Sequence, residues 1–449
     1  MNVHTDMILP KARLIPVYFD PGRDADFDRQ LERLTELLGD AVEWSKPIPL
    51  GGVPGEADAV VFPQLLGESY RRVADFKALR LPILILTSEF GTLSMWDWEI
   101  LAYLRSNGVE TLAPHSLQQT RMICAALRVK RDLRGSRFLV FQDQPGEGEQ
   151  ASIFKRFYWW EDECAQRMAD KFGVTVVRKS YRRLGADAQA ISDEVAEEAC
   201  RACSLPMKEV AGRPLRSAVK LYLAVKREVE ADPMIRGVGI NCLNESRFCD
   251  TTPCLAWSLL HQERRLTWGC EADTLSMLTQ HILGWTLDVP LMMTNLYPFL
   301  LGDAALKHEH IERFPDVVGD PADHILLAHC GYMGLIPPAF ATKWSLRQKV
   351  LAIVDDNAVA VDALFPTGPI TLAKLHPSMD SFSVTEGELK GYVQYPGSHC
   401  RNGGVVQVRN GRRFMAELIS HHYVLLAGHQ AEDLETIAKV FEFQQEHKA

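Results

Sequence analysis

Between Gly237 and Asp273 the chain twice carries a short apolar run into polar residues. Val238, Gly239 and Ile240 give way to Asn241, and the loop behind holds Asn244, Glu245, Ser246 and Arg247. About one strand–helix unit later, Trp268 leads into Cys270-Glu-Ala-Asp273. A helical pattern follows through Leu275, Leu278, His281, Ile282 and Trp285. An apolar, β-branched run that stops on polar residues is how a buried strand delivers side chains to the open end of a sheet. Glu271 and Asp273 at such a mouth suit an oxygen-loving divalent cation or a proton transfer. The same acids equally suit helix capping, because a carboxylate in a first turn satisfies orphan backbone N–H groups and the helix dipole. The stretch taken alone leaves both readings open.

The flanking sequence supports a sheet of this kind. Residues 12–19 read as a strand, followed by a helix with Leu31, Leu34, Leu37 and Leu38 on one face. Residues 57–62 and 81–86 read as further strands, and 96–104 as a helix closed by Asn107-Gly108. Glu89-Phe-Gly91 follows the third strand where such sheets hold ligands, and reads more simply as an ordinary turn. The charged stretch 130–135 marks a boundary. Alternation resumes at 138–141, passes the aromatic run Phe157-Tyr-Trp-Trp160 and a strand at 174–177, and reaches helices at 188–202 and 215–229. Apolar runs at 290–295 and 325–328 continue it. Past Pro337-Pro338 the texture changes to short segments between turns, at 368–374, 381–385, 390–394 and 404–408, with a closing helix at 434–443. Strands alternating with helices predict parallel α/β architecture, and short segments between turns predict antiparallel strands. The expectation is two Rossmann-like α/β domains, residues 1–134 and 135–334, followed by a β-rich, barrel-like C-terminal domain, residues 335–449.

Bulk properties narrow the function. The 449 residues exceed what one ordinary core takes, and a net charge of −9 gives no support for nucleic acid or anionic membranes as partners. The basic stretch 179–183 reads as a solvated face. No cationic start with an apolar core opens the chain, and the apolar run 291–301 is broken by Asn295 and Pro298, so neither a secretory signal nor a membrane span is expected. Ten cysteines dispersed over this length fit free thiols in a reducing cytoplasm. Cys242, Cys249, Cys254 and Cys270 cluster without paired zinc-finger spacing, and the single CxxC, Cys200 to Cys203, lies in a helical pattern. They read as small buried hydrophobes. There is no GxGxxG, no Walker motif and no Gly-x-Ser-x-Gly elbow, so neither a nucleotide cofactor nor serine-hydrolase chemistry is expected.

The expected strand ends of the middle domain collect Glu245, Glu271, Asp273, Asn295 and His329, and His421-His422 stands before the run 424–427. Oxygen and imidazole donors together suit Mn²⁺, Mg²⁺ or Co²⁺ better than a structural zinc. Cys270-Glu-Ala-Asp-Thr-Leu-Ser-Met277, Ala328-His-Cys-Gly331, Gly368-Pro-Ile-Thr-Leu372 and Ser420-His-His-Tyr-Val-Leu-Leu-Ala-Gly-His429 occur in an order and separation that resemble the L-fucose isomerase and L-arabinose isomerase superfamily, over roughly residues 235–449. The resemblance implies two α/β domains before a β-rich domain, a homo-oligomer (trimer or hexamer), a small sugar substrate, and a divalent metal, commonly Mn²⁺, between the middle and C-terminal domains. It implies Glu271 or Asp273 as a metal ligand, the branches differing in which acid they use, with His422 as the C-terminal ligand and His329 as the arabinose-type histidine. Two departures stand out. Asn295 replaces a glutamate of the arabinose-type branch, and Glu245 is the nearest counterpart of a glutamate in the fucose-type branch.

The implied reaction is aldose–ketose isomerisation, in which a metal stabilises the charge of an enediolate while a carboxylate moves a proton between adjacent carbons. Glu245 is the expected proton carrier, with Asp273 beside it in the catalytic set. Glu271, Asp273, His329 and His422 are the expected metal ligands, and Asn295 and Arg247 the candidates for touching substrate. A structural ion pair between Arg247 and Glu245 competes with catalysis. A lyase or epimerase of sugar acids, or a non-catalytic sugar sensor, would use the same scaffold.

Overall fold

The computed structural model describes residues 10–19, 22–64, 67–90, 97–144, 161–203, 210, 212–330, 332–348 and 351–443. Gly91, Trp96, the aromatic run 157–160 and Gly331 lie outside these. The chain forms two compact units. The smaller holds residues 8–132 with 285–287 and 432–449, and the larger includes 133–284 and 288–431.

The smaller unit is built on a parallel sheet. Its strands are β1 (Ala12–Tyr18), β2 (Val42–Trp44), β3 (Ile48–Pro49), β4 (Ala59–Phe62), β5 (Ile83–Ile85) and β6 (Thr111–Leu112). The order is β2-β1-β4-β5-β6, with β3 also paired to β1. The sequence shows β1, β4 and β5. The other three are two or three residues long, too short to carry a periodic signal. Asp24 caps the helix Ala25–Leu38 by accepting the Phe27 N–H at 2.8 Å, and the helix buries Phe27, Leu34 and Leu38 against the sheet side. The closing helix Ala431–Val440, expected in the C-terminal domain, belongs almost wholly to this unit. Lys130 Nζ donates to the Val440 carbonyl at 2.9 Å.

The larger unit opens with a second parallel sheet made of β7 (Arg137–Phe141), β8 (Thr175–Lys179), β9 (Ile235–Ile240) and β10 (Thr267–Cys270), in the order β10-β9-β7-β8. The remaining strands are β11 (Leu291–Pro298), β12 (His324–Ala328), β13 (Lys343–Gln348), β14 (Val359–Leu364), β15 (Gly368–Leu375), β16 (Phe382–Gln394), β17 (Asn402–Val408) and β18 (His422–Ala427). Six of them close an antiparallel barrel, β11-β12-β17-β16-β15-β18, while β13 and β14 pair apart from it. The molecule is therefore mixed α/β with two parallel sheets and a closed antiparallel barrel.

Two expectations change here. The runs at 290–295 and 325–328, placed by sequence in the middle α/β domain, are the barrel strands β11 and β12. An apolar run states that a strand is buried, not which neighbour it will take. The segments 381–385 and 390–394 are one strand, β16, whose irregularity lies between Leu389 and Gly391. A single apolar core runs from Leu139, Ile240 and Trp268 of the parallel sheet to Met292, Leu327, Tyr423 and Leu425 of the barrel, which joins the two in one unit. No helix among the described residues is long and apolar enough to cross a membrane.

Candidate metal centre at the barrel mouth

The site begins where β10 ends. Glu271 and Ala272 both have left-handed backbone, at φ +52° and +55°. Such residues cost about 1–3 kcal/mol each and persist only where the surroundings over-determine them. Here the Ala272 N–H donates to the Ile240 carbonyl at 3.1 Å, and the Asp273 N–H to the Cys270 carbonyl at 3.0 Å. The turn also presses on β9: a Cβ at Gly239 would stand 3.1 Å from Ala272 Cα. On β10, a Cβ at Gly269 would stand 2.5 Å from Met277 Cγ, so glycine lets the helix Thr274–Thr286 lie against the sheet. The sharp turn thus follows from close packing behind it, and it aims two acids in different directions.

Asp273 turns inward. It is fully buried, and both carboxylate oxygens are engaged. Oδ1 accepts the Ser276 N–H at 2.8 Å, which is a helix cap. Oδ2 accepts from Ser276 Oγ at 2.7 Å, from Lys374 Nζ at 2.8 Å, and lies 3.0 Å from His422 Nδ1. Lys374, on β15, is as fully buried as Asp273 and also donates to Ser276 Oγ. Burial works against the Asp273 charge, but the Lys374 ammonium and the His422 hydrogen bond outweigh it and hold the carboxyl well below the usual aspartate range. Burial pulls the Lys374 pKa down, against the pull of Asp273.

Asp273 is therefore not placed as a direct metal ligand, contrary to the expectation from sequence. The Lys374 ammonium takes the position a cation would need, and capping accounts for the other oxygen. Its contact with His422 gives it a different task. A carboxylate on one imidazole nitrogen fixes the ring and leaves the opposite nitrogen to face a metal.

Glu271 turns toward that opposite nitrogen. Its Oε1 lies 3.9 Å from His422 Nε2. The His421 ring is tilted at 42° against that of His422 with centroids 4.0 Å apart, and burial, with the electrostatic effect of the neighbouring imidazole, holds the His421 pKa well below the ordinary value. Glu271, His421 and His422 each present a ligand atom within 4.8 Å of the others. One carboxylate and two imidazoles fit a borderline divalent cation, Mn²⁺ or Co²⁺ among those expected and Zn²⁺ or Fe²⁺ by the same chemistry. Sequence reading selected His422 and passed over its neighbour.

The other expected residues divide. Asn295 stands directly opposite His422 in the β11–β18 pairing and opposite Ala328 in the β11–β12 pairing. Its Nδ2 donates to the Tyr297 hydroxyl at 3.2 Å, while its buried Oδ1 has no hydrogen-bond partner among the described residues. His329 follows β12 with its ring 5.8 Å from that of His422. Its closest ligand-type neighbours are nevertheless sulfurs, Cys330 and Cys270, rather than the carboxylates.

Glu245 lies in the loop after β9, fully buried, but on the β7 side. Its carboxylate accepts the Asp143 N–H at 3.0 Å and the Gln144 N–H, and burial raises its pKa above the ordinary glutamate value. With β9 lying between β10 and β7, the structure does not gather Glu245 with Glu271. Among the described residues Glu245 and Arg247 form no ion pair. Arg247 reaches the Asn244 carbonyl and Gln144 Oε1, both at 3.5 Å, and lays its guanidinium 4.5 Å over the Phe248 ring.

Lys374 was not foreseen. The available signal was a lysine inside the otherwise apolar strand 370–375, because a lysine is almost never fully buried unless paired.

No protein-family model matches the chain, and no curated protein matches it.

Proposed function

We propose that this chain is a metal-dependent aldose–ketose sugar isomerase, in line with the resemblance of its motifs to the L-fucose and L-arabinose isomerases. The observation that carries the reading is the approach of the acidic turn to His422 across 149 residues of sequence, with Asp273 on one ring nitrogen and Glu271 facing the other. Glu271, His421 and His422 would hold a divalent cation. When bound, such an ion supplies Lewis-acid stabilisation of the negative charge that develops on the sugar oxygens.

The chain's own residues do the rest. Lys374 and Ser276 keep Asp273 ionised and fixed, and Asp273 keeps the His422 ring in one orientation. Asn295, opposite His422, presents an uncharged buried carbonyl oxygen that suits a sugar hydroxyl. Glu245 is the other buried carboxylate at these strand ends, and its raised pKa is the direction a general base needs. We assign it the transfer of the proton between the two carbons, a role that requires substrate to reach from the Glu271 turn past the end of β9 and that competes with its hydrogen bonds to the loop after β7.

Chelation followed by return of Mn²⁺, with a panel of aldoses in deuterated water followed by NMR, tests the proposal. The expected result is ketose formation with deuterium at the carbon beside the carbonyl, only after metal is returned. Full turnover by chelated protein free of metal on elemental analysis would refute it. Asn295, a neutral amide where the arabinose-type branch carries a glutamate, favours one second reading, a metal-dependent lyase or epimerase of sugar acids. Sugar acids belong in the same panel, and their cleavage or epimerisation without any aldose turnover would select that reading.

A further inference from the structure

Beside the carboxylate–imidazole cluster lies a second group of donors of a different kind. Cys254 opens the helix Cys254–Arg264, Cys270 ends β10, and His329 and Cys330 follow β12. All four are buried. Cys270 Sγ and Cys330 Sγ are 3.8 Å apart, His329 Nδ1 is 3.2 Å from Cys330 Sγ, and the Cys254 thiol lies close to Cys330. Ligand atoms of Cys270, His329 and Cys330 lie within 4.8 Å of one another. Cys242 adds a fourth sulfur 3.3 Å from that of Cys270.

The Cys270–Cys330 separation is that of a coordination shell. Tetrahedral zinc with Zn–S bonds of about 2.3 Å separates two ligand sulfurs by about 3.8 Å. Two further features bear on the assignment. Cys330 is held in left-handed backbone at φ +51°, a conformation that persists only where the surroundings fix it. His329 Nε2 is buried and has no hydrogen-bond partner among the described residues, a cost that ligation through that nitrogen would offset.

We propose that Cys270, His329 and Cys330, with a fourth ligand from the adjacent thiols Cys242 and Cys254, form a site for a thiophilic d¹⁰ metal ion, zinc above all, distinct from the carboxylate–imidazole centre. Four protein ligands close such a site, so its task is structural. It joins the end of a parallel strand and the end of a barrel strand inside one unit. Sulfur donors select a soft ion, whereas Glu271 with two imidazoles selects a harder one, so the two sites sort metals by ligand chemistry. The site stands whether or not the chain isomerises sugars.

Cobalt reports on sulfur directly. Reduced, chelated, full-length protein titrated with Co²⁺ under anaerobic conditions is expected to develop an intense near-ultraviolet sulfur-to-metal charge-transfer band that saturates at one ion per chain. Cys270→Ser and Cys330→Ser should each abolish or strongly weaken it. His422→Ala, in the other cluster, and Cys200→Ala, in a half-buried thiol elsewhere, should leave it intact. Absence of the band from folded wild-type protein with all ten thiols titratable would overturn the proposal, as would its survival in the Cys270→Ser/Cys330→Ser double variant. If those variants do not fold, X-ray absorption on zinc-loaded wild type decides, since a first shell of only nitrogen and oxygen contradicts the site and a sulfur-containing shell supports it.

Discussion

In the smaller unit one ion pair, Arg131 with Asp58, is largely buried at 18% and 6% exposure, while others stand at or near the surface. Arg72 pairs with Asp75, both side chains 35% exposed, and Arg121 pairs with Asp40 at 41% and 67%. In the larger unit Lys374 pairs with Asp273, and neither side chain is exposed at all. The chemistry is the same and the setting inverts its meaning. A surface pair exchanges water for a partner at little net gain, about 0–1 kcal/mol. A buried pair must offset the desolvation of two charges, and an apolar pair of similar volume would often serve stability as well or better. Lys374 and Asp273 also hold Ser276 and His422, so the pair is best read through the imidazole it orients.

Removing one partner is the most severe way to test that contrast. Asp273→Ala or Lys374→Met, each alone, is expected to cost about 3–5 kcal/mol, because the surviving charge is buried without its counterpart. Denaturant unfolding of the two singles and of the Asp273→Leu/Lys374→Met double variant measures it. The double should be markedly less damaged than the sum of the singles, and singles as stable as wild type would show that the pair is not buried as described.

Glu245 asks whether a buried acid serves architecture or chemistry. Glu245→Gln keeps the shape and removes the base, so turnover should fall roughly a hundred- to ten-thousandfold while Mn²⁺ affinity is retained. Unchanged turnover with a lowered melting temperature would make Glu245 only the anchor of the Asp143–Gln144 amides.

A gentler change separates ligation from orientation. Asp273→Asn leaves the cap but weakens the hold on His422, and Mn²⁺ affinity should drop about ten- to hundredfold, as expected for a group acting through a ligand. Titration calorimetry on the chelated variant reads this, and wild-type affinity would remove Asp273 from the metal centre. The smallest effect belongs to the surface. Arg121→Ala should shift stability by no more than about 1 kcal/mol, and a larger loss in a melt would mean that the two settings differ less than their exposure indicates.

Much of this architecture was legible in the sequence for a plain reason: runs such as 138–141 and 238–240 stop on polar residues, and periodicity marks buried strands wherever they are long enough. The acidic turn was visible as such, and its meeting with His422 was implied by the resemblance of the motifs. What sequence could not carry was direction. Nothing in Glu271-Ala-Asp273 states that left-handed backbone sends Asp273 to Lys374 and one nitrogen of His422, and Glu271 to the other nitrogen. Nothing in an apolar run at 291–298 states that its neighbours are antiparallel. Lys374 is hidden for the same reason, since its partner lies 101 residues earlier. The cysteines, read as small hydrophobes because their spacing lacks zinc-finger pairs, meet only when β10, β12 and a helix start are brought together.

The most direct test of the central claim is a crystal soaked in Mn²⁺ and measured at the manganese edge. The expected result is one strong anomalous peak per chain within bonding distance of Glu271 Oε1 and His422 Nε2, with His421 beside it and Asp273 still on His422 Nδ1. A peak coordinated by Asp273 in place of Lys374, or no peak at this turn at saturating Mn²⁺, would contradict the account.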